Sequence, residues 1–544
     1  MNVPAQSRCN AECRATCWDN REVALALEFL GPLQLTLRER LTDLLNTYHR
    51  WSRSPDYYDL LCGEWLMHFS HVVYAAYLDV TRGVPVASQP APLATFADFN
   101  DYQMAAVHSA QFAGQLRQSA ADLLNRSGSA HPQFAREAIS FAKPSGGRIR
   151  RLGMGLLKAG IEAARNNHAP FLFCHPDVKC SRMEWAATML KWRGWARHDN
   201  LAYPIDISAD IDHQWRRRAS AEISVSGFTE LVCALMPLYV PALYLEALPA
   251  YRSQALGLAL PRPQAVYTAN SLHGHSLFKI LAADWREEGT KILSHQHGGG
   301  YGIDRIHTTE EYETQVANRF YTLGWESNSP KQKPLAAALS RNFFRRTKVG
   351  SQILLSCVLY PKQVYRIHFQ PMPGTIENMI TETTAFVRES KDWPELLVRP
   401  YPDDYGWSMV NTLRATNPAL RLDDMHVNGM NSYARSALVV HNYLGTSWLE
   451  TLALNIPTVC FYDVRTYSFR SAAQPYIDRF EAAGVLHRDG SSAARFVSSI
   501  MANPQSWWDS PALQDLRAEF ARNYANFSAD WANQWESEFR NWIH

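Results

Sequence analysis

The stretch ALVVHNYLGTSWLETLALNIPTVCFYD (residues 437–463) contains the signals that decide the fold. Two short apolar runs, 437–443 and 457–463, have the length of buried strands, and the segment 447–455 between them has the pattern of a helix. A strand, a helix and a second strand in this order are typical of a parallel sheet covered by helices. The stretch therefore predicts an α/β fold.

The same alternation extends through most of the chain. The further segments that predict strands are 169–176, 265–270, 291–296, 352–360 and 395–402. Helices are predicted near 375–390 and 407–415, and residues 20 to 130 have a helical pattern throughout. The polar, proline-containing segment 329–351 predicts a linker between two α/β units. We expect a first lobe with helical additions at 1–330, a second Rossmann-like lobe at 331–515, and a final segment, 516–544, whose helix packs back on the protein.

Composition excludes several classes of protein. The chain has 544 residues, of which 46% are hydrophobic and 19% charged, and this favours a globular protein with more than one domain. A net charge of +2 lacks the basic field of a nucleic-acid-binding protein, so no nucleic-acid partner is expected. No apolar run is long enough to span a membrane, and the N-terminus lacks the apolar core of a signal peptide. These features predict a cytoplasmic protein, and they leave room for peripheral association with the inner membrane.

The turn between the first strand and the helix of the opening stretch predicts an anion site. Gly445 allows a tight turn, and Thr446 and Ser447 can cap the helix. The free N–H groups at a helix start attract phosphate, and Glu450, one turn later, can accept hydrogen bonds from ribose hydroxyls. The alternative is a capping box, in which Thr446 or Ser447 is the cap and Glu450 closes it. Spacing alone does not decide between the two.

A second strand end supports a nucleotide site. VRPYPDDYG (398–406) presents Arg399 where the strand of 395–402 ends, and arginine is suited to bidentate phosphate recognition. Carboxyl ends of parallel strands share one edge of the sheet, where ligands bind in open α/β folds. Arg399 and the turn at 445–447 therefore predict a site for a nucleotide mono- or diphosphate.

The stretch SHQHGGGYG (294–302) predicts catalytic chemistry in the first lobe. His297 can act as a base or an acid near neutral pH, and Gln296, Gly298 and Gly299 can lie against a nucleotide sugar. His295 and His297 point alike on an extended segment, but no third ligand for a metal is identified, so no metal is predicted.

TTEEYE (308–313) follows with three acids, Glu310, Glu311 and Glu313. Of these we assign Glu311 as the catalytic carboxylate. The alternative is a solvated helix start.

Two further features have weaker signals. AKPSGGRIRRLGMG (142–155) is rich in glycine and basic residues, and it predicts either a solvated loop or a phosphate cradle. Cys9, Cys13 and Cys17 recur with a helical spacing, and they predict ordinary thiols on a short N-terminal helix rather than a zinc site.

Several of these motifs occur together in a known family. QHGGGYG, TTEEYE, NRFYTLGW, VRPYP, HNYLGTSWLETLALNIPTVCFYD and WWDSPALQDLRAEFARNYA together resemble a family of transferases from bacterial surface-carbohydrate (O-antigen) clusters. That family is similar to GT-B glycosyltransferases, in which two Rossmann-like lobes face a cleft. The resemblance implies an acceptor-side first lobe, a second lobe that binds a nucleotide sugar, and a glycan or lipid-linked glycan as acceptor.

A more distant resemblance implies the donor. Arg-Pro and Gly-Thr-Ser…Glu are similar to the His-Pro and Ser/Thr…Glu motifs of CMP-dependent Kdo transferases and bacterial sialyltransferases, with Arg399 in the place of the histidine. It implies that Arg399, Thr446 and Ser447 lie near phosphate and that Glu450 lies at the ribose.

The leading hypothesis is a metal-independent GT-B glycosyltransferase without a resident cofactor. Its co-substrate is a nucleotide sugar, and a CMP-linked Kdo-like acid fits the resemblance. The alternatives are a polyol-phosphate transferase of similar fold and a non-catalytic glycan- or partner-binding protein.

Overall fold

The computed structural model describes residues 16–86, 92–125, 133–141, 168–344 and 350–543. The basic segment 142–155 lies outside these residues, as do Cys9 and Cys13. Cys17 is exposed and precedes the first helix, which begins at Asn20, so the predicted N-terminal helix does not include it.

The described residues form helices and strands in regular alternation after an all-helical start. Helices α1 to α21 are Asn20–His49, Pro55–Tyr58, Glu64–Thr81, Phe99–His108, Ala110–Asn125, Arg182–Trp192, His213–Ala221, Phe228–Tyr239, Leu248–Gly257, Ser276–Glu287, Thr308–Val316, Arg341–Phe344, Ile376–Glu389, Met409–Thr416, Gly429–Arg435, Thr446–Ala453, Gln474–Ala482, Gly490–Ile500, Pro504–Trp508, Pro511–Tyr524 and Trp531–Phe539. A π-helical turn, Asp59–Gly63, joins α2 to α3, and short 3₁₀ turns occupy Ala242–Tyr244 and Arg540–Trp542.

Strands β1 to β15 are Ala138–Phe141, Phe171–Phe173, Ala196–His198, Ile207–Asp210, Ala265–Thr268, Lys291–His295, Arg319–Thr322, Gln332–Pro334, Ala337–Ala338, Ile353–Ser356, Leu396–Arg399, Leu438–His441, Thr458–Phe461, Leu486–His487 and Phe527–Ser528. Every residue of β5, β10, β12 and β13 is buried. Burial on both faces explains why these strands read as continuous apolar runs, because helices cover both sides of a parallel sheet.

Two parallel sheets organise the molecule. The first has the strand order β3-β2-β5-β6-β7-β8, and the second has the order β11-β10-β12-β13-β14. In each sheet the second strand is added on one side of the first and the third strand on the other side, which places a switch point between β2 and β5 and another between β10 and β12. Ligands of open α/β sheets bind at such points, outside the carboxyl ends of the strands.

The predicted α/β class is confirmed, and the two Rossmann-like lobes have the GT-B-like arrangement expected from the resemblance. Helices α1 to α5 are the predicted helical additions, and they pack with α8 to α10 into one large apolar core of the first lobe. The last strand of the first sheet, β8, ends at Pro334, a few residues beyond the boundary that we predicted.

The prediction of a linker at 329–351 is wrong for the first part of this segment. Residues 332–334 form β8 on the edge of the first sheet, and β9 pairs with β15 from the end of the chain. Edge strands carry polar residues because one side faces solvent, and this is why the segment resembles a linker.

The C-terminal helix α21 packs on the first lobe. Trp535 and Phe539 are fully buried there against Phe173 and Tyr267 of the first sheet. Within the described ranges, no helix combines the length and the apolar character that crossing a bilayer requires.

Candidate functional site

The two lobes touch at the turn 445–447, between β12 and α16. The backbone N–H of Gly299, in the loop after β6, donates to Oγ1 of Thr446 at 3.0 Å. A Cβ on Gly299 would lie 2.6 Å from the carbonyl carbon of Gly445, which is closer than side-chain carbons pack. A Cβ on Gly298 would lie 3.6 Å from the Thr446 hydroxyl. The glycine at 299 therefore lets the backbones of the two lobes meet at the start of α16.

The predicted capping of α16 is wrong. Gly445 is the residue before the helix, and no side chain caps the first turn. Ser447 instead shares hydrogen bonds with Nδ1 of His441 at 3.2 Å and with the Tyr443 hydroxyl at 3.0 Å. The helix start keeps the positive end of its dipole uncapped by a side chain, as an anion site requires.

Glu450 forms an ion pair across the cleft rather than a capping box. Its carboxylate accepts from Nζ of Lys179, which lies beyond the end of β2 in the first lobe. Both side chains are largely buried, at 18% and 11% exposed. Burial alone would lower the pKa of Lys179, but Glu450 raises it, so the ammonium stays charged. This ion pair joins α16 of the second lobe to the segment after β2 of the first.

Arg399 is already paired within the second lobe. Its Nη1 donates to Asp423 at 2.5 Å and its Nη2 to the carbonyl oxygen of Val427 at 2.8 Å, and the side chain is 12% exposed. These contacts hold the loop before α15, so the guanidinium of Arg399 already has partners in the second lobe, and its role at phosphate stays a prediction.

Gln296 is also committed to the protein. Its side-chain oxygen accepts from the backbone N–H of Leu323 at 3.0 Å and from Nε1 of Trp325 at 2.8 Å, and its amide nitrogen donates to the Gly298 carbonyl at 2.9 Å. The residue is 3% exposed. Gln296 thus holds the glycine-rich loop in place, and the predicted contact with the nucleotide sugar is corrected.

His295 and His297 do not point alike. His295 ends β6 and is buried, with Nδ1 2.6 Å from the Tyr267 hydroxyl and Nε2 3.1 Å from the carbonyl oxygen of Leu335. Burial lowers the pKa of His295 to about 3, so it is a neutral part of the first lobe's core. His297, two residues on, turns towards α11.

His297 lies beside a carboxylate at the interface of the lobes. Its Nδ1 is 3.6 Å from Oε1 of Glu313, and no hydrogen bond satisfies this nitrogen. Burial lowers the pKa of His297 more than Glu313 raises it, so the imidazole is neutral at physiological pH. A neutral imidazole with a carboxylate behind it can accept a proton and then be stabilised as the cation.

The carboxylate beside His297 is Glu313 and not Glu311. Glu313 is completely buried and accepts from the Tyr301 hydroxyl at 2.9 Å. Glu311 is exposed and lines a surface pocket between α1 and α11. Residues two apart on a helix point in nearly opposite directions, so only one of the two can face the cleft. The structure therefore corrects the predicted catalytic carboxylate by two residues.

His273 connects this pair to a second buried acid. Its Nε2 lies 2.9 Å from Glu313 and its Nδ1 2.7 Å from Glu64, the first residue of α3, which also accepts from Lys279 at 2.8 Å. Burial alone would lower the pKa of His273, but Glu64 and Glu313 raise it to about 9. An imidazolium therefore lies between two carboxylates, and the centre of its ring is 4.8 Å from the centre of the His297 ring.

His273, His297 and Glu313 are also the residues that could hold a metal ion. One ligand atom from each residue lies within 4.8 Å of the other two. The spacing of residues in the sequence did not reveal this group. Metal binding would require His273 to lose a proton that two carboxylates retain.

Sequence reasoning missed Lys179, Glu64 and His273. The signal for His273 was its position just after β5, at the same sheet edge as the His297 loop. Lys179 follows β2 in the same way, whereas nothing in the helical pattern around Glu64 separates it from a surface acid.

The solved structures that are similar to this chain are distant. HepE from Anabaena in complex with UDP shares 10% identity over 68% of this chain and 99% of its own, with a TM-score of 0.38. The O-GlcNAc transferase of Thermobaculum terrenum shares 10% identity over 88% and 82% of the two chains, with a TM-score of 0.33. MurG from Acinetobacter baumannii shares 12% identity over 68% and 99%, with a TM-score of 0.32.

No curated protein sequence matches this chain. A protein-family model does match, over residues 6–539, and it therefore spans both lobes and the C-terminal helix. The chain belongs to the LIC12162 family of transferases.

Proposed function

We propose that this transferase moves a sugar from a nucleotide donor to a glycan acceptor, and that it does so without a metal ion. The observation that carries the proposal is the position of His297. It is a neutral imidazole backed by Glu313, and its loop touches the start of α16 in the other lobe through Gly299 and Thr446. A base and a helix start that suits an anion thus lie next to each other where the two lobes meet.

The proposed reaction assigns a role to each side of the cleft. Nε2 of His297 accepts the proton of the acceptor hydroxyl as that oxygen attacks the anomeric carbon, and Glu313 stabilises the imidazolium that forms. The nucleotide leaves with the bonding electrons, and the uncapped N-terminus of α16 stabilises the phosphate charge. Glu450 accepts from the ribose hydroxyls once its ion pair with Lys179 has opened.

The finer assignment rests on the resemblance of the Gly-Thr-Ser…Glu element. On this basis we propose a CMP-linked Kdo-like or other nonulosonic acid as donor, and a bacterial surface glycan or its lipid-linked precursor as acceptor. Such an enzyme would act in the cytoplasm, with peripheral association at the inner membrane. Metal independence is proposed because His273 holds its proton between Glu64 and Glu313.

Nucleotide titration and turnover test the proposal together. We expect CMP or UDP to bind the wild type and Glu450→Ala to weaken that binding, because the ribose loses its acceptor. His297→Ala should bind the nucleotide normally and lose about 10²–10⁴-fold in turnover. Glu311→Ala is the matched control, since this exposed acid lies outside the cleft. Unchanged nucleotide affinity in Glu450→Ala, or wild-type turnover in His297→Ala, would refute the respective role.

A further inference from the structure

Among the described residues, Arg366 has no carboxylate partner at the place where the connection after β10 contacts α11. It lies in the connection that follows β10, and its Nη1 donates to Oγ1 of Thr309 at 2.7 Å, at the start of α11. In the described parts of the chain no carboxylate lies within ion-pair distance of its guanidinium, and its Nε is buried without a hydrogen-bond partner. An arginine in such a position retains most of its hydrogen-bonding capacity.

The acids nearest to Arg366 are already neutralised by other groups. Arg470 donates to both oxygens of Glu310, at 2.9 and 3.0 Å. Burial raises the pKa of Asp304 well above its usual range, which favours the neutral carboxyl group. Further along the cleft, Lys279 and His273 balance Glu64 and Glu313. Within the described residues the guanidinium of Arg366 therefore has no ion-pair partner of its own, and its Nε is buried without a hydrogen bond, which is costly.

Neutral histidines surround this charge. The backbone N–H of Ile367 donates to Nδ1 of His71, and Tyr365 contacts the rings of His68 and His368. His307 begins the turn that leads to Thr309. Burial lowers the pKa of all four imidazoles, and Arg366 lowers each of them further. None of the four can act as a counter-ion, but neutral imidazoles can donate.

Hydrogen bonds fix which nitrogen carries the proton in two of these rings. Nδ1 of His307 accepts from the backbone N–H of Glu310 at 3.1 Å, and Nδ1 of His71 accepts from Ile367 at 3.1 Å. Both rings therefore carry their hydrogen on Nε2 and are donors there. Nδ1 of His68 and of His368 are buried and have no partner. The surroundings of Arg366 thus contain donors and unsatisfied nitrogens, and the nearby carboxylate of Glu310 is already paired with Arg470.

We propose that Arg366 binds an oxyanion of a substrate, either the carboxylate of an acidic sugar or a phosphate group. The guanidinium fork suits both planar carboxylate and phosphate oxygens, and an incoming anion would neutralise the unbalanced charge. The inference rests on the proposed function, because it assigns the anion to a substrate of the cleft. It adds a second anion site, formed by the connection after β10, to the one at the start of α16.

Binding of free anions to the full chain tests this site without turnover. The probes are N-acetylneuraminate, inorganic phosphate and neutral N-acetylglucosamine, titrated by calorimetry in the absence of nucleotide. We expect N-acetylneuraminate or phosphate to bind the wild type and Arg366→Gln to weaken that binding by about 10- to 100-fold, as loss of a charge-assisted bidentate contact does. Arg305→Gln is the control, since that arginine is 50% exposed and paired with Glu28.

The outcomes separate the two sources of the anion. An Arg366-dependent affinity for N-acetylneuraminate alone identifies a sugar carboxylate, and one for phosphate alone identifies a phosphate group. No binding of either anion by the wild type would overturn the inference, as would equal affinities in Arg366→Gln and Arg305→Gln. Arg366→Lys, which keeps the charge, serves if the glutamine variant does not fold, and undiminished affinity there would refute the bidentate contact. Nucleotide binding that depends on Glu450 but not on Arg366 would leave the proposed function intact and remove only this site.

Discussion

The partly buried imidazolium of His273 predicts that the protein loses stability between neutral and alkaline pH. Its pKa is raised from 6.5 to about 9 in the folded state by Glu64 and Glu313. A group with a raised folded pKa stabilises the protein fully below its unfolded pKa, and this stabilisation is lost as the pH rises through the folded pKa. The rise from 6.5 to about 9 corresponds to about 3 kcal/mol of unfolding free energy.

Other buried histidines do not obscure this window. Burial lowers the pKa of His71 and of His295 to about 3, so both are neutral throughout the range and titrate far below it. Burial also raises the pKa of Cys62 and Cys357, whose unfolded thiols ionise near the top of this window, so we assign to His273 the part of the decline that depends on its two carboxylates.

Glu313→Gln is the informative perturbation. The two carboxylates lie at similar distances from the imidazole, 2.7 Å for Glu64 and 2.9 Å for Glu313, so each provides a comparable share of the stabilisation. Removing one charge should reduce the pH-dependent decline to about half, or about 1.5 kcal/mol. The glutamine oxygen can still accept from Tyr301, so the packing around the site is retained.

The assay is urea unfolding followed by tryptophan fluorescence at several pH values between 6.5 and about 9. Glu311→Gln is the matched control, because it removes the same charge from the same helix at an exposed position. We expect the control to follow the wild type. An equal decline in Glu313→Gln and in the wild type, or no decline in the wild type, would refute the assignment of an imidazolium between two carboxylates.

Three further predictions concern the contact between the lobes, the C-terminal helix and metal independence. Gly299→Ala should lower transfer activity by about 100-fold, because its Cβ would lie 2.6 Å from the backbone of Gly445 and displace the reacting groups. Gly298→Ala is the control and should be active. Equal activities of the two variants would contradict this prediction. Trp535→Ala should destabilise the protein by about 3–5 kcal/mol in thermal unfolding, since the ring is fully buried and its Nε1 donates to the carbonyl oxygen of Ala336 at 2.8 Å. A loss below about 1 kcal/mol would show that the helix does not stabilise the first lobe. Dialysis against a chelator should leave transfer activity unchanged, and a loss that is restored by a divalent cation would show that a metal replaces the proton of His273.

Local signals in the sequence determined the fold class and the location of the cleft. Apolar runs of strand length alternate with helical patterns because both faces of a parallel sheet are buried, so the order of elements is legible without a structure. The turn at 445–447 and the glycine-rich loop after β6 were recognisable because both follow a strand end directly. Because parallel strands share one polarity, their carboxyl ends lie at one edge of each sheet, which locates a binding region before any contact is known.

Only the tertiary structure decided which side chains face that region. Arg399 and Gln296 both lie at or next to the carboxyl end of a strand. However, the guanidinium of Arg399 is paired with Asp423, and the side-chain oxygen of Gln296 accepts from Trp325. The choice of Glu313 over Glu311 depends on the rotation of α11 against the core, and spacing within one helix does not specify it. Glu64, His273 and Glu313 are far apart in sequence and meet because three separate elements pack around one point. Side-chain partners of this kind are long-range properties of the packed chain, and a local pattern cannot encode them.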